Sequence, residues 1–266
     1  MLIGNAVLPV MDYLKALSKP HPSFVKHIAV SFKAWYHPND IILFSTLIKE
    51  FSLNTMYIAI EGAIGVGKTT LARLLASVFK AELLLEIFEE NPFLADFYKD
   101  RDAYAFQTQI FFLLSRYHQQ KKVPNLLSEN EHLIADYTFE KDALFAGLNL
   151  ENDELETYYN VHYALAEKLP LPNLIVYLQA ETDVLMQRIA HRDRPYERNM
   201  DVGYIDSLNH AYDVFFTSQH TERKVLSINT NDLNYITSPE DLKWVVTRIR
   251  ESLKMPPFQT SLPLED

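Results

Sequence analysis

Gly62-Ala63-Ile64-Gly65-Val66-Gly67-Lys68-Thr69-Thr70 is the stretch on which the fold of this chain turns. Gly62, Gly67, Lys68 and Thr69 satisfy the phosphate-loop pattern G-x-x-x-x-G-K-[ST]. The run Tyr57-Ile58-Ala59-Ile60 before it reads as a buried strand, and Leu71-Ala72-Arg73-Leu74-Leu75-Ala76 after it reads as a helix. Glycines let the backbone fold tightly enough for its N–H groups to face phosphate oxygens, and the opening helix adds its N-terminal partial charge. A chance glycine-rich turn need have neither the strand before nor the helix after. The loop, Ala63, Ile64, Gly65, Val66 and Thr70 included, is therefore expected to bind a nucleoside triphosphate such as ATP. Lys68 would reach the β and γ phosphates, and the Thr69 hydroxyl would ligate Mg²⁺.

Outward from the loop, apolar strands and helices alternate. Strands are expected at 57–60, 82–86, 132–135, 174–178 and 225–228. Helices are expected at about 68–79, 102–120, 139–147, 152–168, 181–190, around 204–215 and at 239–253. Continuous apolar strands separated by helices predict an α/β fold, a doubly wound five-stranded parallel sheet with helices on both faces. His162 falls on the stripe Leu155, Tyr158, His162, Leu165, Leu169 and reads as a filler of that stripe, not a ligand.

The totals narrow the function. A formal charge of −10 over 266 residues argues against a nucleic-acid binder. The absence of cysteine removes disulfides, thiolate metal sites and a cysteine nucleophile. No run approaches the ~18 apolar residues of a membrane span. Residues 1–55 differ from the rest: they carry +2, leaving −12 beyond them, and contain Pro9, Pro20, Pro22 and Pro38. They read as an N-terminal extension, poorly structured or upstream of a true start at Met56, with one domain over 56–266.

In a doubly wound sheet, ligands gather at the carboxyl ends of the strands. Glu86 and Asp136 end two of them, beside the phosphate loop. One could accept the proton of an attacking hydroxyl, and Asp136, ending an apolar run, could hold the metal. Arg188, Arg192 and Arg194, with Glu197, suit a basic flap over transferring phosphates, because the guanidinium fork binds phosphate oxygens in pairs. A solvated basic helix end is the plainer alternative. In the long helix, Gln109 and Arg116 lie seven residues apart, ~20° from alignment at ~100° per residue, so they share a face that Gln107 does not. The intervening Ile110-Phe111-Phe112-Leu113-Leu114 is apolar all round and implies a buried helix. Buried Arg116 and Gln109 need partners, either a structural acid or a ligand base.

Together these residues resemble the deoxynucleoside kinase family, particularly its bacterial deoxyguanosine and deoxyadenosine kinase branch. Glu86-Ile87-Phe88-Glu89-Glu90-Asn91-Pro92 corresponds to the family pattern E-P-V-x-x-N-P, whose glutamate is the general base for the sugar 5′-hydroxyl. Tyr98, eleven residues before Gln109, implies the 3′-hydroxyl contact. Gln109 with Arg116 implies the base readers, and Asp142, six residues past Asp136, a further base contact. Arg192-Asp193-Arg194-Pro195-Tyr196-Glu197 matches R-x-R-x-x-E, with Glu197 implied at the 3′-hydroxyl. The resemblance implies a P-loop kinase fold with a basic lid, an ATP- and Mg²⁺-dependent kinase acting on a purine deoxynucleoside, cytoplasmic location, and a homodimer formed by helices near 103–120 and 152–168. Asp136-Tyr137-Thr138 departs from the family's [DE]-R-[ST]: Tyr137 stands where an arginine normally assists at the phosphates. Alternatives are a deoxycytidine-preferring kinase, a nucleoside monophosphate kinase, or a structural subunit that binds nucleotide without turnover. A switch GTPase is disfavoured by the lack of N-K-x-D.

Overall fold

The computed structural model describes residues 55–217 and 224–256. The expected extension over 1–55 lies outside the described residues except for Thr55. Among them, five parallel strands form one sheet in the order β2-β3-β1-β4-β5. The strands are β1 (Met56–Glu61), β2 (Glu82–Leu84), β3 (His132–Ala135), β4 (Leu174–Gln179) and β5 (Val225–Asn229). The helices, in chain order, are α1 (Lys68–Phe79), α2 (Leu94–Phe97), α3 (Arg101–Gln120), α4 (Val123–Glu129), α5 (Lys141–Asn149), α6 (Asn152–Ala166), α7 (Thr182–Arg192), α8 (Val202–Thr217) and α9 (Pro239–Ser252).

Side-chain alternation along the strands explains the layering. Ile58 and Ile134 join the main core with Leu71 and Leu75 of α1, whereas Tyr57, Leu133 and Ala135 turn to a second cluster capped by Val123, Leu126 and Leu127 of α4. Both faces are thus covered, as continuous apolar strands require. Helix α4 is an element that the apolar pattern does not announce: Pro124 reads as a breaker, yet it sits in the helix's first turn, where its missing N–H costs nothing. Strand β2 is three residues long rather than five, so Glu86 stands beyond its end on a loop. No helix among the described residues is long and apolar enough to cross a membrane.

Two expectations change. Helix α3 is not buried all round: Leu114 is 43% exposed and Ile110 and Phe111 are partly so, because only the face carrying Ala105, Gln109, Phe112, Leu113 and Arg116 meets the core. Helix α6 ends at Ala166, three residues short of Leu169, while His162 is fully buried between the rings of Phe139 and Tyr158, as a stripe filler would be. The first described strand begins at Met56, whose side chain is buried and whose backbone N–H bonds Glu131 O at 3.1 Å. Protein starting at Met56 is therefore expected to fold and keep its turnover. An insoluble product, or loss of most of kcat/KM, would assign the first 55 residues to the domain.

Candidate active site

The phosphate loop leaves β1 and enters α1 through strained glycines. Gly62 (φ 146°) has no room for a side chain, since a Cβ there would stand 2.5 Å from Leu178 O of β4. Gly67 (φ 103°) caps α1 in a left-handed conformation with no side-chain bond to the first turn, and the helix's opening N–H groups stay available to an anion. Lys68 Nζ donates back to Gly62 O at 2.7 Å and Ala63 O at 3.1 Å. Burial pushes its pKa down to about 8, and the Lys141 charge pushes the same way.

A phosphate at Lys68 favours the charged ammonium and raises that pKa. Triphosphate binding is thus expected to take up close to one proton at about pH 9, where free Lys68 is mostly neutral, and almost none near pH 6.5, where it is already charged. Calorimetry in buffers of different ionisation enthalpy reads this uptake directly. Uptake that is the same at both values would mean that Lys68 does not meet the phosphates.

The acids at the strand ends converge on the loop. Thr69 Oγ1 donates to Asp136 Oδ2 at 2.6 Å, and the Glu86 N–H donates to Asp136 Oδ1 at 2.8 Å. Burial pushes the Asp136 carboxyl above its ordinary value. A hydroxyl and a carboxylate side by side at a phosphate loop fit Mg²⁺, which takes one or two protein oxygens and completes its shell with water and phosphate.

Glu86 is the centre of the site. Arg116 Nε donates to its Oε1 at 2.8 Å, Arg116 Nη2 bonds the same oxygen, and Lys141 Nζ donates to Oε2 at 2.7 Å. Burial alone would raise this carboxyl, but the Arg116 and Lys141 charges overcome it and hold the group well below the usual carboxylate range. Arg116 Nη1 pairs in turn with Asp142 Oδ1. Asp142 is fully buried and, apart from that ion pair, neither of its oxygens has a hydrogen-bond donor among the described residues; Gln109 Oε1 is likewise buried without one. A buried carboxylate and amide left open in this way are acceptors awaiting a ligand's donors.

Tyr98 and Glu197 share the opposite edge. The Tyr98 ring stacks on Tyr196 at 6.0 Å, and its hydroxyl is raised by burial first and then by Tyr204 and Glu197. Glu197 is buried and receives both Arg192 Nε (3.0 Å) and Arg192 Nη2 (2.7 Å to Oε1). Arg194 lies 4.1 Å over the Phe88 ring. Arg188 sits apart from these on α7, donating to Thr230 O at 2.6 Å and Thr230 Oγ1 at 2.9 Å. It lines a cleft of about 920 Å³ with Gly65, Gly67, His191, Arg192 and residues 231–237.

Three participants escape the sequence reading. Lys141 carries no motif. Glu61, fully buried at the end of β1, accepts from Thr138 N (2.5 Å), Thr138 Oγ1 (3.1 Å), Gly62 N (3.2 Å) and Tyr212 OH (3.3 Å), and so ties the phosphate loop to the Asp136 loop and α8. An acid closing a run of apolar residues was its available signal. The loop at 231–237 was announced only by its polar residues after the last strand. Tyr137 is turned into the second core cluster, its hydroxyl donating to Gln119 Oε1 at 3.2 Å.

The profile of the deoxynucleoside kinases matches residues 58–254. The chain belongs to the deoxynucleoside kinase family. It is accordingly a phosphotransferase of that class. This kinase is 34% identical over 199 residues to the deoxyguanosine kinase of Bacillus subtilis (strain 168), covering 73% of this chain and 96% of the relative. It is 32% identical to the deoxyadenosine kinase of Dictyostelium discoideum, covering 78% and 84%. Among solved structures, the deoxyadenosine kinase of M. mycoides with bound dATP superposes with a TM-score of 0.65 at 25% identity, covering 73% of this chain and 99% of that one. The same enzyme with dCMP and dCDP gives 0.62 at 26%, covering 74% and 100%. The kinase therefore shares its fold with a deoxyadenosine kinase solved with dATP bound.

Proposed function

We propose that the chain transfers the γ-phosphoryl group of ATP to the 5′-hydroxyl of a purine deoxynucleoside, in the presence of Mg²⁺. The observation that carries the reading is Glu86, whose backbone bonds the phosphate-side acid Asp136 while its carboxylate bonds Arg116, the partner of Asp142. One residue touches the donor half and the acceptor half. The donor's phosphates lie on residues 62–70 and its base in the cleft beside Arg188. The deoxynucleoside's base meets Gln109, Arg116 and Asp142, and its 3′-hydroxyl meets Tyr98 and Glu197. Deoxyguanosine and deoxyadenosine are favoured because relatives at 34% and 32% identity are named for them.

The chemistry follows from the charges. Phosphoryl transfer runs through a loose transition state, so the 5′-hydroxyl keeps its proton until the new O–P bond is well formed. A carboxylate held as low as Glu86 is a poor base for an early proton transfer, and a good fixed acceptor for a late one. Glu86 orients the hydroxyl by accepting its hydrogen bond. As the 5′-oxygen bonds phosphorus and the bond to the bridging oxygen of ADP breaks, the proton passes to Glu86 and thence to water. Lys68, with Arg192 and Arg194 released from Glu197 and Phe88, neutralises the equatorial oxygens. Thr69 and Asp136 would hold Mg²⁺, which would supply further positive charge at the transferring phosphates.

A deoxycytidine-accepting site is the second reading, supported by the dCMP and dCDP of the M. mycoides enzyme. A lapsed, non-catalytic subunit is disfavoured because Lys68, Glu86, Arg192 and Arg194 are all present. The partly exposed apolar face of α3, with Leu114 at its centre, suits a homodimer contact, and a cytoplasmic location is part of the same proposal. Chromatography of a reaction with ATP, Mg²⁺ and deoxyguanosine tests the activity: a 5′-monophosphate and ADP in equal amounts are expected. Hydrolysis of ATP with no nucleotide product would refute it.

A further inference from the structure

We propose that Lys141 positions Glu86 for catalysis and brings a second ammonium beside the attacking 5′-oxygen, opposite the Lys68 ammonium of the phosphate loop. The proposal rests on the assignment of Glu86 as the acceptor of the 5′-proton.

Burial is the first ground. Lys141 opens α5 with only 4% of its surface exposed, where lysines are rare unless paired. Its Nζ donates to Glu86 Oε2 and stands 5.8 Å from the ring of Phe145, and its charge also acts on the acids Glu61 and Asp136. Of these acids, Glu86 is the one that Lys141 bonds directly.

The way the carboxylate is shared is the second ground. An ionised carboxylate has about two acceptor directions on each oxygen. Arg116 places both Nε and Nη2 on Oε1, whereas Lys141 alone donates to Oε2. The less crowded oxygen is Oε2. A 5′-hydroxyl bonded there shares its acceptor with Lys141, and two partners of one oxygen at ordinary hydrogen-bond lengths stand within roughly 5 Å of each other. The ammonium then faces the oxygen that attacks and the phosphoryl group that it attacks.

The third ground is Tyr137. Its ring lies in the second core cluster and its hydroxyl on Gln119, so no cation reaches the phosphates from that position. Lys141 brings one to the same end of the site from the first turn of α5.

The plainer role for Lys141 is charge balance, with two cations offsetting Glu86 and Asp142 and no part in turnover. Lys141→Met, Lys141→Gln and Lys141→Ala separate the two. Steady-state kinetics with ATP and deoxyguanosine, deoxyguanosine affinity by calorimetry, and thermal unfolding would be measured on each. The proposal expects kcat to fall about 100-fold in both the Met and Gln variants, with deoxyguanosine affinity within about threefold of wild type. It further expects added ethylammonium to raise the turnover of Lys141→Ala at least tenfold, in a saturable way, without raising that of wild type. A Gln variant with kcat within about threefold of wild type would overturn it. So would variants that lose deoxyguanosine binding and the folded state together and gain nothing from the amine, for then Lys141 only holds the fold. A wild type inactive on every deoxynucleoside would remove the Glu86 assignment itself, a failure seen before any variant is made.

Discussion

Glu86→Gln is expected to lower kcat by about 10²–10⁴ while deoxynucleoside affinity changes little. The amide keeps the shape and one acceptor oxygen but cannot take the 5′-proton as the new bond forms. The structure adds a second consequence. Arg116 and Lys141 both donate to this carboxylate, and an amide that faces one cation with its carbonyl must face the other with its own N–H groups. Breaking a buried charged contact from one side costs about 3–5 kcal/mol, and solvent at the 13% exposed Glu86 side chain places the loss near the lower end. For a domain of this size about 3 kcal/mol lowers Tm by roughly 6–12 °C. Assays must therefore be run well below the variant's own Tm. A folded Glu86→Gln protein with kcat within about threefold of wild type would show that another group receives the proton.

Arg116→Met carries the second large effect, and the structure alters what is expected of it. As a reader of the base alone, Arg116 would change substrate preference when replaced and leave chemistry intact. It is instead shared between Glu86 and the fully buried Asp142, so its loss strands Asp142 and leaves Glu86 on Lys141 alone. A buried carboxylate stripped of its cation in this way costs about 3–5 kcal/mol in stability. Turnover should fall by about 100-fold or more for every deoxynucleoside, because Glu86 loses its orienting partner. Asp142→Ala is different. It leaves Arg116 on Glu86, removes only the acceptor that faces the base, and opens space that suits the 5-methyl group of thymidine. Its expected signature is a purine kcat/KM lowered by about 10–100-fold with thymidine affected less. In the double variant Asp142 is no longer stranded, so stability should recover by about 2–3 kcal/mol relative to the sum of the singles. Strictly additive stabilities would mean that the two residues are not an ion pair in solution. Parallel loss of all substrates in Asp142→Ala would assign that residue to the fold and not to the base.

What was legible in the sequence was local. The phosphate loop is contiguous, and its glycines announce the backbone they adopt. Gln109 and Arg116 were placed on one buried face by helical phase alone, and Gln107 was rightly sent elsewhere: it is exposed. Strand ends put Glu86 and Asp136 beside the loop because a parallel sheet aligns its carboxyl ends. What was not legible was pairing at a distance. Lys141 and Glu86 are 55 positions apart and Arg116 and Glu86 are 30 apart, and an ion pair between such residues leaves no periodic mark in either segment. Glu61 was hidden for the same reason: its partners come from Thr138 and Tyr212. The exposure of Leu114 was missed because an apolar run shows that a face will be covered, not whether the same chain covers it.

The central claim is that this site phosphorylates purine deoxynucleosides and discriminates through Gln109, Arg116 and Asp142. One competition measurement tests it most directly. Wild-type enzyme is given ATP, Mg²⁺ and an equimolar mixture of deoxyguanosine, deoxyadenosine, deoxycytidine and thymidine, and the monophosphates are quantified by mass spectrometry at low conversion, so that their ratios equal the ratios of kcat/KM. The account predicts that the two purine monophosphates dominate, with thymidine monophosphate the least. Thymidine monophosphate as the main product, or the four nucleosides consumed in equal proportion, would contradict it.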